Sequence, residues 1–408
     1  MTSVFAIICI TALDAIAFYG IKRAYPNLSF ANRQKIMYSF VIQTVVAVSI
    51  VLFGVLFQRS ISDYRLIAIY YQFFGGVAAV YIPKSIYALF LFVDWIIKKK
   101  TSKLECKSQF IRNIPIAKYG LWTSLSFILV VIWGILVGQY RYTIETVDVR
   151  VHNLPQAFDG FKIVQISDIH AGSFGKSTHR LEKAIDLINA QNPDIVVMTG
   201  DIVNNFAEEL IPLIPVFSII NSNNCNFAVL GNHDYGGYYN WKTPTDSVRN
   251  ITAIKNNIKE MGFTILNNQA VTIKRDADSI ALIGVENWGI LKRFPKRADL
   301  VKAMSSVRDV PVKMLITHDP SLWEKEIEGK TDIVLTLAGH THGMQMGIKI
   351  GNKRFSPAPL MPRFRRHWAG LYKTQEQYLY INRGLGVVGM PIRMGMPPEI
   401  TIITLRKS

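Results

Sequence analysis

Five short segments carry the residue types from which a metal-dependent hydrolytic site can be built: Asp168-Ile169-His170, Gly200-Asp201, Gly231-Asn232-His233-Asp234, His318 and Gly339-His340-Thr341-His342-Gly343. Five of the chain's eight histidines fall in them, in order, each after an apolar run. Carboxylates, an amide oxygen and several imidazoles make a borderline-hard nitrogen and oxygen donor set, suited to manganese, iron or zinc rather than calcium. In Asp168-Ile169-His170 the i, i+2 spacing puts both side chains on one face of an extended segment, where they can share one ion. Asp201 has two oxygens and could bridge that ion to a second. A pair of divalent ions about 3.5–4 Å apart can hold a hydroxide as nucleophile and clamp the oxygens of an in-line displacement at phosphorus. That is the chemistry of phosphoester hydrolysis. Each fragment taken singly also has a plain structural use, since a buried histidine hydrogen-bonds in a core and Gly, Asn and Asp favour turns. It is the ordered set that points to a site.

The elements that must position these groups begin at Phe161. From there the pattern is one of short β-branched runs ending in polar clusters, separated by helix-like stretches such as 180–191. Residues 161–167, 194–199, 226–230, 280–285, 313–317, 332–337, 377–381 and 399–405 read as strands. Continuous apolar runs of this length imply strands buried on both faces, so an α/β domain with helices covering sheets is expected over 161–408. The chemistry-bearing residues then sit in loops at strand ends, where α/β folds place their sites. Residues 141–160 read as a linker with a leading strand.

Residues 1–140 have a different character. Four segments, 2–21, 37–57, 66–88 and 121–140, approach the ~20 apolar residues needed to cross ~30 Å of hydrocarbon. The first lacks a basic leader and a small-residue cleavage site, which makes it a retained anchor rather than a removable signal. Apolar character in the third continues past Pro83 and Lys84 to Ile97, and predicts one long, tilted helix with Asp94 at the membrane interface. The loops after the first and third segments carry Lys22, Arg23, Arg33 and Lys35, then Lys98, Lys99, Lys100, Lys103, Lys107, Arg112 and Lys118. The loop between the second and third offers only Arg59 and Arg65. By the positive-inside rule the lysine-rich loops are cytoplasmic, and both termini with everything after Tyr140 lie outside the cytoplasm. An odd number of spans would reverse this.

The net charge of +17 raises the question of nucleic acid. Residues 1–150 alone hold 16 basic against 6 acidic side chains, so most of the excess is a topology signal, and no nucleic-acid partner is expected. The remainder would suit an anionic substrate or membrane face. Cys9, Cys106 and Cys225 are the only cysteines, which excludes a disulfide framework or cysteine metal site in the C-terminal part.

The ordered set Asp168-x-His170, Gly200-Asp201, Gly231-Asn232-His233-Asp234, His318 and Gly339-His340-x-His342 closely resembles the calcineurin-like metallophosphoesterase superfamily, over about 161–405. Pro193-Asp194, the Gly-His-Thr-His-Gly form, Arg383-Gly384-Leu385-Gly386 and Pro398-Glu399-Ile400 are similar to the bacterial branch with membrane-associated, lipid-processing members. A four-span-plus-phosphoesterase layout is similar to that of transmembrane members. The resemblance implies a sandwich of two mixed sheets flanked by helices. It implies one divalent ion on Asp168, His170, Asp201 and His342, and another on Asp201, Asn232, His318 and His340, with Asp201 bridging. It also implies His233 beside the ions as acid or charge stabiliser for the leaving oxygen, with Asp234 orienting its ring. Many relatives have Gly-Gly-Gln after the final histidine where this chain has Gly343-Met344-Gln345, a departure that bears on loop shape alone.

For the substrate the signals are compositional. Tyr235-Gly236-Gly237-Tyr238-Tyr239-Asn240-Trp241 and Arg363-Phe364-Arg365-Arg366-His367-Trp368 mix aromatic and basic residues, as a surface resting on anionic headgroups would. Ordinary loops that pack their rings inward would look the same. The membrane anchor favours a phosphate of an envelope lipid or lipid precursor in the cell's inner membrane. Alternatives are a nucleotide-diphospho lipid pyrophosphohydrolase, whose substrate is cytoplasmic, a nucleic-acid phosphodiesterase, and, in a different class, a membrane sensor or transporter with an inactive phosphoesterase-like module. Asp14, Lys84 and Asp94 are the intramembrane ionisable residues on which that last reading would rest.

Overall fold

The structure, a computed structural model, describes residues 2–101, 115–175, 178–289, 294, 296–351 and 353–408. Lys103, Cys106, Lys107, Arg112 and the side chain of Arg363 lie outside what it describes. Two compact units emerge: Met1–Ile61 with Ile69–Leu136 and Gly389–Pro391, and Ser62–Ala68 with Val137–Val388 and Ile392–Ser408.

The first unit contains four helices, α1 (Thr2–Ala24), α2 (Phe30–Phe57), α3 (Tyr64–Thr101) and α4 (Ile116–Leu136). Each is long and apolar enough to cross a membrane. The third is a single 38-residue helix with Pro83 inside it, as the sequence predicts. Ser29 opens α2 by accepting from the Asn32 amide, an N-cap that satisfies one otherwise unpaired donor. The charges face one another inside the unit. Lys84 donates to Asp14, and the Asp14 carboxylate also accepts from Tyr81 (2.7 Å) and Thr44 (2.5 Å). Asp94 is fully buried between Arg23 at 3.0 Å and Lys98 at 2.9 Å.

The second unit is built on two six-stranded mixed sheets. In chain order its strands are β1 (Thr143–Val151), β2 (Lys162–Ile166), β3 (Ile195–Thr199), β4 (Asn226–Val229), β5 (Phe263–Ile265), β6 (Gln269–Arg275), β7 (Asp278–Gly284), β8 (Lys313–Ile316), β9 (Ile333–Ala338), β10 (Ile348–Ile350), β11 (Lys353–Phe355), β12 (Gly370–Thr374), β13 (Gln377–Ile381) and β14 (Glu399–Lys407). One sheet runs β1-β14-β2-β3-β4-β5 and the other β12-β13-β9-β8-β7-β6, while β10 and β11 form a separate hairpin. Residues 141–160 are more than a linker: β1 pairs in parallel with β14 through nine consecutive positions and forms the edge of the first sheet.

Alternation along each strand explains the near-continuous apolar runs. In β3, Ile195 and Val197 enter the core between the sheets, where they meet Leu282, Met314, Leu335 and Leu337 of the other sheet. Val196 and Met198 point the other way and pack on Leu181, Ile185 and Ile188 of α5 (His179–Asn189) and on Ile254 and Ile258 of α6 (Pro244–Glu260). Buried on both faces, such a strand has no position for a polar residue until it ends. The architecture is thus the expected α/β sandwich flanked by helices, preceded by membrane-capable helices.

Leu335 is fully buried in the core between the sheets. Leu335→Ala is expected to destabilise the second unit by about 2–5 kcal/mol, read as a lower melting midpoint of the detergent-solubilised protein. An unchanged midpoint would contradict this packing.

Candidate metal centre

Every candidate residue is carried on a loop that leaves the C-terminal end of a strand. Asp168 and His170 follow β2, Asp201 follows β3, and Asn232, His233 and Asp234 follow β4. His318 follows β8 of the other sheet, and His340 and His342 follow β9. The site therefore lies where the two sheets present their strand ends side by side. Three groups of ligand atoms converge to within 4.8 Å and could hold a metal ion: Asp168, His170 and His342; His170, Asp201 and His233; Asp201, His318 and His340. Asp201 joins the second and third through one oxygen, its Oδ2 lying 3.1 Å from His318 Nε2 and 3.8 Å from His170 Nε2. Asp168 Oδ1 lies 3.3 Å from His342 Nε2.

The backbone bends sharply to achieve this. Asp168, His170, Asp201, His340 and His342 all adopt positive φ, between 47° and 75°. Asp and His tolerate this region better than most residues, but it remains strained. Glycines permit the close approach of the loops. A Cβ on Gly231 would strike the Asp201 carboxylate. One on Gly386 would strike the carbonyl of Ile169, so the Arg383-Gly384-Leu385-Gly386 segment can run directly along the first loop, with Leu385 and Gly386 amides donating to Ser167 and Asp168 carbonyls, both at 2.9 Å.

Hydrogen bonds set which ring atom each imidazole presents. His318 Nδ1 donates to the Thr199 carbonyl (2.9 Å) and His170 Nδ1 to Asn204 Oδ1 (2.9 Å), leaving both Nε2 atoms free to ligate. The carbonyl of the same Asn204 accepts from His233 Nδ1 (2.8 Å). Asp234 does not orient the His233 ring, contrary to the expectation. Its fully buried carboxylate accepts instead from the amides of Ile202, Val203 and Gly231 at 2.8–3.0 Å. The reason is geometric: Asp234 points back under the Asp201 loop, where three amides lack strand partners. Asn204 performs the ring-orienting role. The sequence offered no signal for it beyond its place three residues after Asp201. Glu209 supports it in turn, accepting from the Asn204, Asn205, Phe206 and Gly172 amides at 2.6–2.9 Å.

Tyr238 completes the constellation. Its ring stacks on His233, with centroids 4.1 Å apart and planes 19° apart, and its hydroxyl accepts from Asn232 Nδ2 (3.1 Å). That bond turns Asn232 Oδ1 the other way, where it is buried with no hydrogen-bond partner. His170 Nε2 and His342 Nε2 face each other at 3.1 Å, as do His318 Nε2 and His340 Nδ1 at 3.0 Å. A buried unpaired acceptor and opposed imidazole nitrogens are what a divalent cation satisfies, so the residues fit the metal pair that the motif set implies.

The electrostatics follow from burial. Desolvation alone would raise both Asp168 and Asp201, but the neighbouring His342 and His318 rings outweigh it and hold both carboxyls below the usual range. Burial would also strip His318 of its proton, yet the Asp201 carboxylate pushes this ring up to about 10. His170, His233 and His340 are held low, in each case chiefly by burial. Burial, then the nearby Asp201 charge, pushes Asp234 up to about 7.

A cavity of about 320 Å³ opens on the centre, lined on its polar side by the histidines with Asn287 and Asp319, and on the other by Tyr238, Phe294, Pro320, Phe364 and Val388. The aromatic stretches singled out in the sequence pack their rings inward. Tyr239 and Trp241 pack edge-on against Phe206, Tyr235 bonds to Glu286, and Phe364 faces His340. Arg365 and Arg366 remain exposed.

Comparison with known proteins agrees with the geometry. Residues 161–344 match the calcineurin-like phosphoesterase family. The chain is 29% identical over 280 residues to YkuE, an uncharacterized metallophosphoesterase of Bacillus subtilis, covering 66% of this chain and 90% of that one. It is 28% identical over 283 residues to a transmembrane protein with metallophosphoesterase domain of Bos taurus, covering 67% of this chain and 59% of that relative's length. It is also 28% identical over 253 residues to the phosphodiesterase YaeI of Escherichia coli, covering 60% and 82% respectively.

Removing the Asn204 amide frees the His170 ring, so Asn204→Ala is expected to weaken divalent-metal binding about 10- to 100-fold, measured by competition with a metallochromic chelator. Asn204→Asp, which keeps an acceptor, should recover most of it. Because Asp201 keeps His318 protonated at neutral pH, metal entry must displace that proton. Manganese added to metal-free protein at pH 7 in weak buffer should release about one proton per chain as the ion shell containing His318 fills, read with an indicator dye. No release would contradict the His318 assignment.

Proposed function

We propose that this chain, which carries a calcineurin-like metallophosphoesterase domain and is a phosphoric ester hydrolase, holds two divalent ions on the converging ligands and hydrolyses a phosphate carried by an envelope lipid or lipid precursor. The observation that carries the two-ion reading is the position of Asp201 Oδ2, shared between the His170 and His318 nitrogens. Asp168, His170 and His342 would complete one ion's shell, and Asn232, His318 and His340 the other's. When bound, such a pair supplies an activated water and a Lewis-acid clamp on the phosphoryl oxygens. Manganese, iron and zinc all suit the donor set.

The chain's own groups do the rest. His233, its Nδ1 proton committed to the Asn204 carbonyl, presents Nε2 to the cavity, where it can take up the proton shed by the attacking water and pass it to the leaving oxygen. Tyr238 keeps that ring from rotating by stacking on it. The apolar wall of Tyr238, Phe294, Pro320, Phe364 and Val388 favours an ester whose organic part is greasy over a highly hydrated one. Four membrane-capable helices in the same chain support a substrate that stays in the bilayer. In this reading 1–140 is the membrane part and 161–408 the catalytic domain, joined through 141–160. The lysine-rich loops support, by the positive-inside rule, a catalytic domain outside the cytoplasm, across the inner membrane.

Full-length protein in detergent, assayed on a chromogenic phosphomonoester, a chromogenic phosphodiester and a long-chain lipid phosphate, tests the proposal. Activity should require added manganese, and chelator or Asp201→Asn should reduce it to background. His233→Ala should cost about 10²- to 10⁴-fold on an alkyl ester but much less on a nitrophenyl ester, whose leaving group needs no proton. Activity on soluble nucleotides with none on lipid phosphate would overturn the lipid assignment while leaving the phosphoesterase chemistry intact.

A further inference from the structure

The β10–β11 hairpin has one face pinned and one face bare. Its register sets Ile348 opposite Phe355, Lys349 opposite Arg354 and Ile350 opposite Lys353. Directly opposed residues share a face, and alternate residues along a strand do too. Lys349 and Arg354 therefore share a face, and both form ion pairs with Glu145 of β1, Lys349 at 3.8 Å. The opposite face carries Ile348, Ile350 and Phe355, which are 55%, 62% and 52% exposed. In the turn that follows, Leu360 is 85% exposed. Lys353 is exposed on the same face, and Arg365 and Arg366 are exposed further along the chain, Arg366 lying 3.9 Å from Glu328.

Four large apolar side chains within thirteen residues, with an exposed lysine on the same face, are not scattered surface hydrophobics of the ordinary kind. The combination matches an anionic bilayer surface, in which aliphatic and aromatic groups enter the headgroup boundary while lysine and arginine meet lipid phosphates. The chain supplies its own tether. Glu145, which pins the hairpin, is nine residues beyond Leu136, the last residue of α4, and nine residues reach at most about 30 Å. Any membrane that the helices span is thus within reach of the hairpin.

We propose that residues 348–360 form a membrane-docking surface, with Ile348, Ile350, Phe355 and Leu360 inserted at the headgroup boundary of an anionic bilayer and Lys353 on the lipid phosphates. The proposal concerns a surface that contains none of the ligands and stands whatever ester the site cleaves.

The test uses full-length protein with Cys9, Cys106 and Cys225 replaced by serine, reconstituted into vesicles of phosphatidylcholine with phosphatidylglycerol or of phosphatidylcholine alone. An environment-sensitive fluorophore is placed at Ile350→Cys or, as a water-exposed control, at Asp276→Cys. Lipids carrying a quencher at a shallow acyl position should quench the label at 350 several-fold more than the label at 276. Adding Lys353→Glu should reduce that quenching in the anionic vesicles. Equal quenching at the two positions in both vesicle types would overturn the proposal. So would quenching at 350 that depends only on protein density, which would mark the face as a contact between copies of this chain.

Discussion

Two carboxylates, Asp168 and Asp201, are buried together among histidines, and that juxtaposition is the constraint on which the rest of the molecule depends. Like charges a few ångströms apart repel by ~4 kcal/mol even at an effective dielectric of ~20, and neither can be neutralised by water. The site is tolerable only while positive charge sits among them. Without metal, His318 takes that part by holding a proton up to about 10. A pair of divalent ions would take it more completely, and the buried, unpartnered Asn232 oxygen is aimed to receive one. The same electrostatics that make the ligand set costly to assemble make it avid for cations.

Such a set can be held only by a rigid frame, because five of its members sit on strained left-handed backbone, at a cost of about 1–3 kcal/mol each. The sandwich provides the frame. Strands buried on both faces allow little movement, and their ends are stitched across the sheets: His318 bonds the Thr199 carbonyl, and Gln165 donates to the Ala338 carbonyl at 2.9 Å. Each ligand from one sheet is thereby fixed against ligands of the other. The supporting groups, Asn204, Glu209, Asp234 and Tyr238, add no ligand of their own to the two proposed shells, but they decide which atom each ligand presents.

The membrane-capable part follows a different rule. Among the described residues its buried charges are few and are paired, Asp14 with Lys84 and Asp94 with Arg23 and Lys98. Pairing removes the penalty of leaving a lone charge in an apolar setting and also gives these residues a structural use. A transport or sensing reading would need such a charge to change partners. The catalytic reading needs only that the bundle hold.

Much of this was legible in the sequence because burial leaves a mark on composition. Strands covered on both faces are predominantly apolar, so their positions, the polar loops that end them and the four apolar helices all show as runs of residue type. The nine candidate site residues fall in those loops, and all but Asp234 converge. What composition could not show were relations between segments distant in the chain. Asp234 looked like a partner for its neighbour His233, but whether a carboxylate meets a ring or three amides depends on how the Asp201 loop folds over it. Asn204 is one polar residue among many in its loop, and its two histidine contacts exist only after the loops following β2, β3 and β4 come together. Residues 141–160 read as a linker with a leading strand, and the sequence did not show that this strand is a sheet edge, because a partly exposed strand need not be continuously apolar. The β10–β11 hairpin drew no notice because its short alternation of Ile, Lys and Phe acquires meaning only when Glu145 fixes which face turns outward. The sequence determined which chemistry the chain carries, since ligand type is a property of single residues. Only the tertiary structure decided which atoms face one another, since that depends on contacts made across the whole chain.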